Sequence, residues 1–331
     1  GQFNAASIEL KNALQKSPDN PEARLELGKL YLEMGDMAAA EKELSRAADL
    51  GAKPDIIMPF LGRSLLYQGK HADVMDLSLK GLNDEAKAEI LALKGLSLVA
   101  QGDLDKARFL IDKAMATNKQ SIHAMVANAG LLGYNNQYAK SKAQLDSVFK
   151  VDPDFAPAWS LLGDIELSQD KYQPALEAYS KAISLRINNM SDMLKRTMIL
   201  IQQKKYDEAQ KDISYLKERI PLHPGFNYAQ GVIHFHNKNI QDAQAAFDLA
   251  LVDEKRYPLA LYYAGLTNFL LGQRERAEKY ATQYHTRFPD HPPAGKLLAI
   301  VQLSRSQYKQ AEELLRPMVE ANQNDVGALN L

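Results

Sequence analysis

The chain has 331 residues, with 40 Lys plus Arg against 41 Asp plus Glu, a formal charge of −1 and no cysteine. So balanced a chain, with no long like-charge run, lacks the concentrated basic footprint that nucleic acid requires. The missing cysteines exclude disulfides and thiolate metal sites within it, and no apolar stretch approaches the roughly 18 residues needed for a direct membrane span.

A first helix is predicted over residues 3–16, where Phe3, Ala6, Leu10 and Ala13 fall on one face and Pro18 follows as a stop. From Pro21 onward the sequence repeats. Segments begin at Pro21, Asp55, Ala88, Ile122, Ala156, Met190, Pro224, Pro258 and Pro292. Counting from each start, slot 8 reads Gly28, Gly62, Gly95, Ala129, Gly163, Thr197, Gly231, Gly265 and Ala299. The step is constant except between Gly62 and Gly95, where it is one position shorter. In the fifth segment Trp159, Leu162, Gly163 and Glu166 fill slots 4, 7, 8 and 11, one face of a first helix, A. Tyr172, Ala175, Tyr179 and Ala182 fill slots 17, 20, 24 and 27, the matching stripe of a second helix, B. Small residues at slots 8 and 20 are expected where A and B cross. Prolines at slot 32, such as Pro153, Pro221 and Pro289, end helix B.

Two segments depart from the pattern. The second carries Pro59 at slot 5, Val74 at slot 20 and Gly81 at slot 27, so its helix A is expected to start late and to pack loosely. Pro317, deep in the ninth helix B, is expected to remove one backbone hydrogen bond and kink that helix.

This pattern resembles the tetratricopeptide repeat, which recurs about every 34 residues with a W-x2-L-G-x2-Y…A-x3-F…A…P signature. The resemblance runs the length of the chain. It implies an all-α solenoid of antiparallel helix pairs wound into a right-handed superhelix. Residues 1–20 then form a truncated repeat with helix B alone, residues 21–325 nine complete repeats, and residues 326–331 the start of a further truncated one. Both truncated ends are expected to be weak points, because terminal repeats need capping faces. Such a solenoid buries its stripe repeat by repeat and presents surfaces to partners.

No constellation for covalent chemistry overlies the repeat. There is no nucleophile elbow, Walker A loop or dinucleotide-binding glycine pattern. No enzymatic activity, cofactor or metal site is therefore expected. His223, His234 and His236 crowd one repeat, but the last two stand two apart on a helix and point to different sides. They read as helix-surface or partly buried histidines.

The second face of helix A, at slots 5, 9 and 12, is apolar toward the C-terminal half. It reads Leu194, Met198 and Ile201, then Tyr228, Val232 and Phe235. Tyr262, Leu266 and Phe269 follow, and the ninth repeat adds Ile300 and Leu303 beside Lys296. In tetratricopeptide proteins this face lines the concave groove that receives a partner. Slots 5 and 12 also serve packing between neighbouring A helices, whereas the family often places a polar residue at slot 9. The strip is thus read as a groove for a protein or peptide segment with apolar anchors, or for self-association, with pure packing as the alternative. Slot 9 is never Asn, and its neighbour at Lys296 is Ile300, so the clamp that holds chaperone carboxylates is not expected.

Finally, the run Ala6 to Lys16, the segment Ala23 to Gly28 and the stretch Gly35 to Leu44 resemble the long tetratricopeptide lipoproteins of exosortase (PEP-CTERM) and exopolysaccharide systems in Gram-negative bacteria. That resemblance, carried mainly by positions 1–80, implies a periplasmic scaffold, lipid-anchored in its full-length form, for export or assembly of polysaccharide and surface proteins. Two alternatives stay open: the regulatory or substrate-recruiting array of a larger enzyme such as a glycosyltransferase, and a cytoplasmic assembly adaptor.

Overall fold

Each repeat segment carries two apolar stripes separated by a helix-breaking turn, and neither stripe is covered until its helix folds back on the other. The computed structural model, which describes residues 2–186 and 189–321, shows that outcome. A first helix, α1 (Gln2–Lys16), is followed by nine pairs. The first five are α2 (Pro21–Glu33) with α3 (Met37–Asp49), α4 (Pro54–Tyr67) with α5 (His71–Asp76), α6 (Asp84–Gln101) with α7 (Leu104–Thr117), α8 (Ile122–Tyr134) with α9 (Tyr138–Val151), and α10 (Ala156–Leu167) with α11 (Tyr172–Leu185). Then come α12 (Met190–Gln202) with α13 (Tyr206–Lys217), α14 (Pro224–His236) with α15 (Ile240–Ala250), α16 (Leu259–Leu270) with α17 (Arg274–Arg287), and α18 (Pro292–Ser304) with α19 (Tyr308–Ala321). Short A-to-B turns make each pair antiparallel, and no strand occurs among the described residues. The expected repeat at 326–331 lies outside them. The chain divides into two compact units, Gly1–Asp192 and Met193–Leu331.

The small residue at slot 8 has a specific partner. A methyl group added at Gly28 would sit 2.6 Å from Leu44; at Gly95, 2.5 Å from Ile111; at Gly163, 2.6 Å from Tyr179; at Gly231, 2.6 Å from Phe247. All four partners occupy slot 24, so one large residue of helix B lies flat on the backbone of helix A. Where slot 24 is small, as at Ala281, the space beside Gly265 is taken by Leu297 of the next repeat, 3.2 Å from the added carbon.

A second device recurs at slot 15. Gly35, Gly69, Gly102, Asn136, Asp170, Lys204, Lys238, Gly272 and Ser306 all have φ between 57° and 81°. This left-handed residue ends helix A and turns the chain into helix B. At the first turn Asp36 N–H reaches back to Tyr31 C=O at 2.9 Å while Gly35 N–H bonds Leu32 C=O at 3.1 Å, the bonding of a Schellman motif.

The second repeat corrects one expectation. Its helix A does not start late: α4 opens at Pro54 and runs through Pro59. Pro59 lies near the helix start, so the missing N–H removes a single early bond. The departure falls on helix B, which is the six-residue α5 and gives way to extended backbone at Leu77. Leu77, Leu79 and Leu82 then fold into the cluster with Val74, Ile90 and Leu93, and α6 begins early behind the Asn83 cap, which accepts from Ala86 N–H at 2.9 Å. In the ninth pair α19 continues through Pro317.

Candidate binding groove

Within the first unit, stacking of consecutive A helices leaves a cavity of about 280 Å³. Helix α4 contributes Arg63, Leu66 and Tyr67; α6 contributes Leu93 and Leu96; α8 contributes His123 and Val126. The turn before α10 and its first residues close it with Asp154, Phe155 and Pro157, and the end of α11 and its cap add Leu185 and Arg186. A second recess of about 310 Å³ shares Glu33, Tyr67 and Arg186 with it and extends along Leu32, Met37 and Met190. The floor is aliphatic and the rim is charged.

The charges of that wall are ordered. Arg63 Nε donates to Glu89 Oε1 at 2.7 Å, and its guanidinium lies over the Phe60 ring at 4.6 Å. Glu89 is buried, which raises its carboxyl above the usual range despite Arg63. His123 Nδ1 stands 3.3 Å from Glu89 Oε2, and its ring meets Phe155 edge-on at 5.1 Å. Burial, aided by Arg63, pushes His123 down to about 3, so the imidazole is neutral at physiological pH. At the far rim the Arg186 guanidinium lies 5.9 Å from the Tyr67 ring centre.

The apolar strip read from the sequence lies in the second unit, and none of its eleven residues is exposed there. Ile201 and Val232 are buried, Val232 at 4% exposure; Leu194, Met198, Tyr228, Phe235, Tyr262, Leu266, Phe269, Ile300 and Leu303 are half-buried. Tyr228 stacks on Tyr257 at 5.9 Å, and both Tyr228 and Phe235 meet Tyr263 edge-on. Tyr262, Leu266 and Phe269 come together against Ala277, Ala281, Leu297, Leu298 and Val301. Leu303 packs on the cluster of Ala299, Ala311 and Leu315. Of the three histidines noted above, His223 caps α14 by accepting from Gly225 N–H at 3.2 Å, and His236 stacks on Tyr206 at 3.8 Å.

Reading the sequence missed the wall of Arg63, Glu89 and His123. The available signal was positional: Glu89 and His123 share slot 2 of consecutive repeats, and Arg63 holds slot 9 of the repeat before. Residues at those slots on neighbouring A helices face one another.

Two tetratricopeptide repeat models match the chain, one over residues 1–56 and 269–331, the other over residues 126–189 and 195–260. Tetratricopeptide repeat protein 21A of Mus musculus is 24% identical over 186 residues, covering 54% of this chain and 14% of the relative. Tetratricopeptide repeat protein 37 of Xenopus laevis is 23% identical over 211 residues, covering 58% and 13% respectively. The chain thus spans about one seventh of the length of these two relatives. Among solved structures, the APC/C hetero-tetramer Cut9-Hcn1 aligns with TM-score 0.60 at 13% identity, over 99% of this chain and 92% of the other. PilW, a type IV pilus biogenesis factor, aligns with TM-score 0.51 at 17% identity, over 63% of this chain and 96% of its own. With paired helices, the regular repeat period and these models matching over more than half of its length, the chain belongs to the tetratricopeptide repeat family.

Proposed function

We propose that the chain is a non-catalytic protein-binding scaffold whose first unit receives a peptide segment in the cavity between α4, α6, α8 and the start of α10. The cavity itself carries the reading: an aliphatic floor of Leu66, Leu93, Leu96 and Val126 under a rim holding Arg63, Asp154 and Arg186. A pocket of that kind buries an apolar anchor while the rim engages the backbone and flanking polar groups. The strip around Met198, Tyr262, Leu266 and Phe269 is a second contact surface in this proposal, for apolar anchors or self-association, through the parts of those side chains that stay open.

The test places a photo-crosslinking residue at Tyr67, on the cavity rim, and a control at Phe109, an exposed residue of α7. In cells of the native host, Tyr67 is expected to capture a discrete set of peptides that Phe109 does not. Leu96→Arg, which fills the floor, should abolish those adducts. Identical adducts at both positions would overturn the reading.

The proposal extends to the cell envelope: a periplasm-facing scaffold, lipid-anchored in full length, that helps export or assemble exopolysaccharide and PEP-CTERM surface proteins. Its support is the resemblance carried by Ala6 to Lys16, Ala23 to Gly28 and Gly35 to Leu44. Cell fractionation tests it directly. Recovery with the membrane envelope is the expected result, and a purely cytosolic protein would sink it.

A further inference from the structure

Three metal-ligating side chains converge beside the cavity without serving its floor. Glu85 and Glu89 stand one helical turn apart on α6, and His123 reaches them from α8. One potential ligand atom from each lies within 4.8 Å of the other two. His123 Nδ1 is buried and has no hydrogen-bond partner: Glu89 Oε2 is 3.3 Å away, but not in hydrogen-bond alignment. That separation has a meaning in coordination chemistry. Two ligands of a tetrahedral ion with bonds of about 2.0–2.1 Å lie about 3.3 Å apart. The His123 Nδ1 and Glu89 Oε2 atoms stand at that spacing, and Glu85 offers a third oxygen nearby.

We propose that Glu85, Glu89 and His123 form a three-ligand site for a transition-metal dication of the Zn²⁺ type, reached from the side of the exposed Glu85. One imidazole nitrogen with carboxylate oxygens suits Zn²⁺ and its neighbours, whereas Ca²⁺ takes six to eight oxygens and Mg²⁺ keeps an octahedral shell of oxygen and water.

The surroundings are those of a supported site. Asn118 Nδ2 donates to Glu85 Oε2 at 2.5 Å and Ser121 Oγ to Glu85 Oε1 at 3.0 Å, which fixes the more exposed carboxylate. Arg63 donates to Glu89 Oε1 and leaves Oε2, the oxygen nearest His123, free to ligate. The guanidinium orients the carboxylate as outer partners do, and its charge tempers the affinity by repelling the ion. A bound ion would tie α6 to α8, consecutive A helices, in the wall that His123 shares with the cavity. The inference stands on the cluster alone and does not depend on peptide binding.

Calorimetric titration of the metal-free chain with ZnCl2 tests it. One saturable equivalent is expected, with MgCl2 giving none. His123→Ala and Glu85→Gln should each weaken binding at least tenfold, since loss of an outer partner alone typically costs about ten- to a hundredfold. Removing His234 and His236 together should leave that equivalent in place. Glu85 is exposed, so Glu85→Gln reports even if His123→Ala disturbs the fold, and circular dichroism verifies each variant. As a second readout, ZnCl2 should raise the melting temperature of the wild type and not of Glu85→Gln. No saturable binding, or binding unchanged in both variants, overturns the proposal.

Discussion

The same repeat framework is finished in two ways. In the first unit the slots that face between A helices hold Arg63, Glu89 and His123, and a cavity remains beside them. In the second unit slot 9, the slot of Arg63, holds Met198, Val232, Leu266 and Ile300, and tyrosines from further along the chain close the space. Tyr257 and Tyr263 reach back to Tyr228 and Phe235; Tyr263 also stacks on the buried Phe247 at 5.0 Å. The lesson is physical. Charged residues held in ion pairs need room and orientation, so they leave a recess, whereas aromatic residues gain by filling it.

The largest expected effect tests this contrast at slot 9. Val232→Asp places a carboxylate at a position 4% exposed among apolar neighbours, with no Lys or Arg on α14 to pair with it. An uncompensated buried charge costs about 3–5 kcal/mol, so a large fall in the denaturation midpoint is expected. Leu266→Asp, half-buried, should cost clearly less. If Val232→Asp melts like wild type, the second unit is open at slot 9 and the contrast fails. Arg63→Leu in the first unit makes the reciprocal change by stranding the buried Glu89. Its cost should be near the lower end, about 3 kcal/mol, because a carboxyl already raised by burial can take up a proton. The double variant Arg63→Leu with Glu89→Leu should recover most of the loss. No recovery would show that Arg63 acts through packing on Phe60 instead.

A smaller effect separates two kinds of glycine. Gly163→Ala drives a methyl to 2.6 Å from the fully buried Tyr179, whose hydroxyl donates to Asp164 at 2.5 Å, so the ring cannot yield freely. Overpacking of that sort costs about 1–3 kcal/mol. Gly130, also in an A helix but at slot 9, meets nothing closer than Leu161 at 3.8 Å. Gly130→Ala should therefore gain about 0.5–1 kcal/mol from helix propensity alone. Chemical denaturation of both variants checks the pair, and equal signs would refute the slot-8 explanation.

Much of the architecture was legible in the sequence because it rests on local rules. The small residues at slots 8 and 20, such as Gly28 and Ala40, announced the pairs and their period. What stayed hidden depends on neighbours that the stripe does not encode. That Gly163 yields to Tyr179 needs the facing helix, and that Phe235 meets Tyr263 needs the next repeat. Pro59, Val74 and Gly81 marked the second repeat as unusual, yet the loss fell on helix B, the six-residue α5, since Pro59 sits early enough in α4 to be tolerated. The first unit's wall escaped because Glu89 pairs with Arg63 of the repeat before it and faces His123 of the repeat after. Scanning slots 2 and 9 across repeats for opposite charges would have found it.

The smallest expected effect carries the comparison down to the turns. At slot 15 the first unit places Gly35, Gly69, Gly102, Asn136 and Asp170, residues that accept the left-handed region readily. The second unit places Lys204, Lys238, Gly272 and Ser306 there. Lysine gains nothing local from a left-handed φ, and an ordinary L-residue pays about 1–2 kcal/mol in that region. Lys238 is exposed and its N–H still closes the turn to Phe235 C=O at 3.0 Å, a bond that glycine keeps. Lys238→Gly should thus relieve the strain, less about 0.4–1 kcal/mol for the freer unfolded chain. The net expectation is a gain of about 0.5 kcal/mol. Asn136→Gly in the first unit should change stability by no more than a few tenths of a kcal/mol, since asparagine already tolerates the conformation. Urea midpoints measured side by side decide the matter. A gain at Lys238 that Asn136 does not show extends the contrast to backbone strain, and equal shifts confine it to the side chains between the A helices.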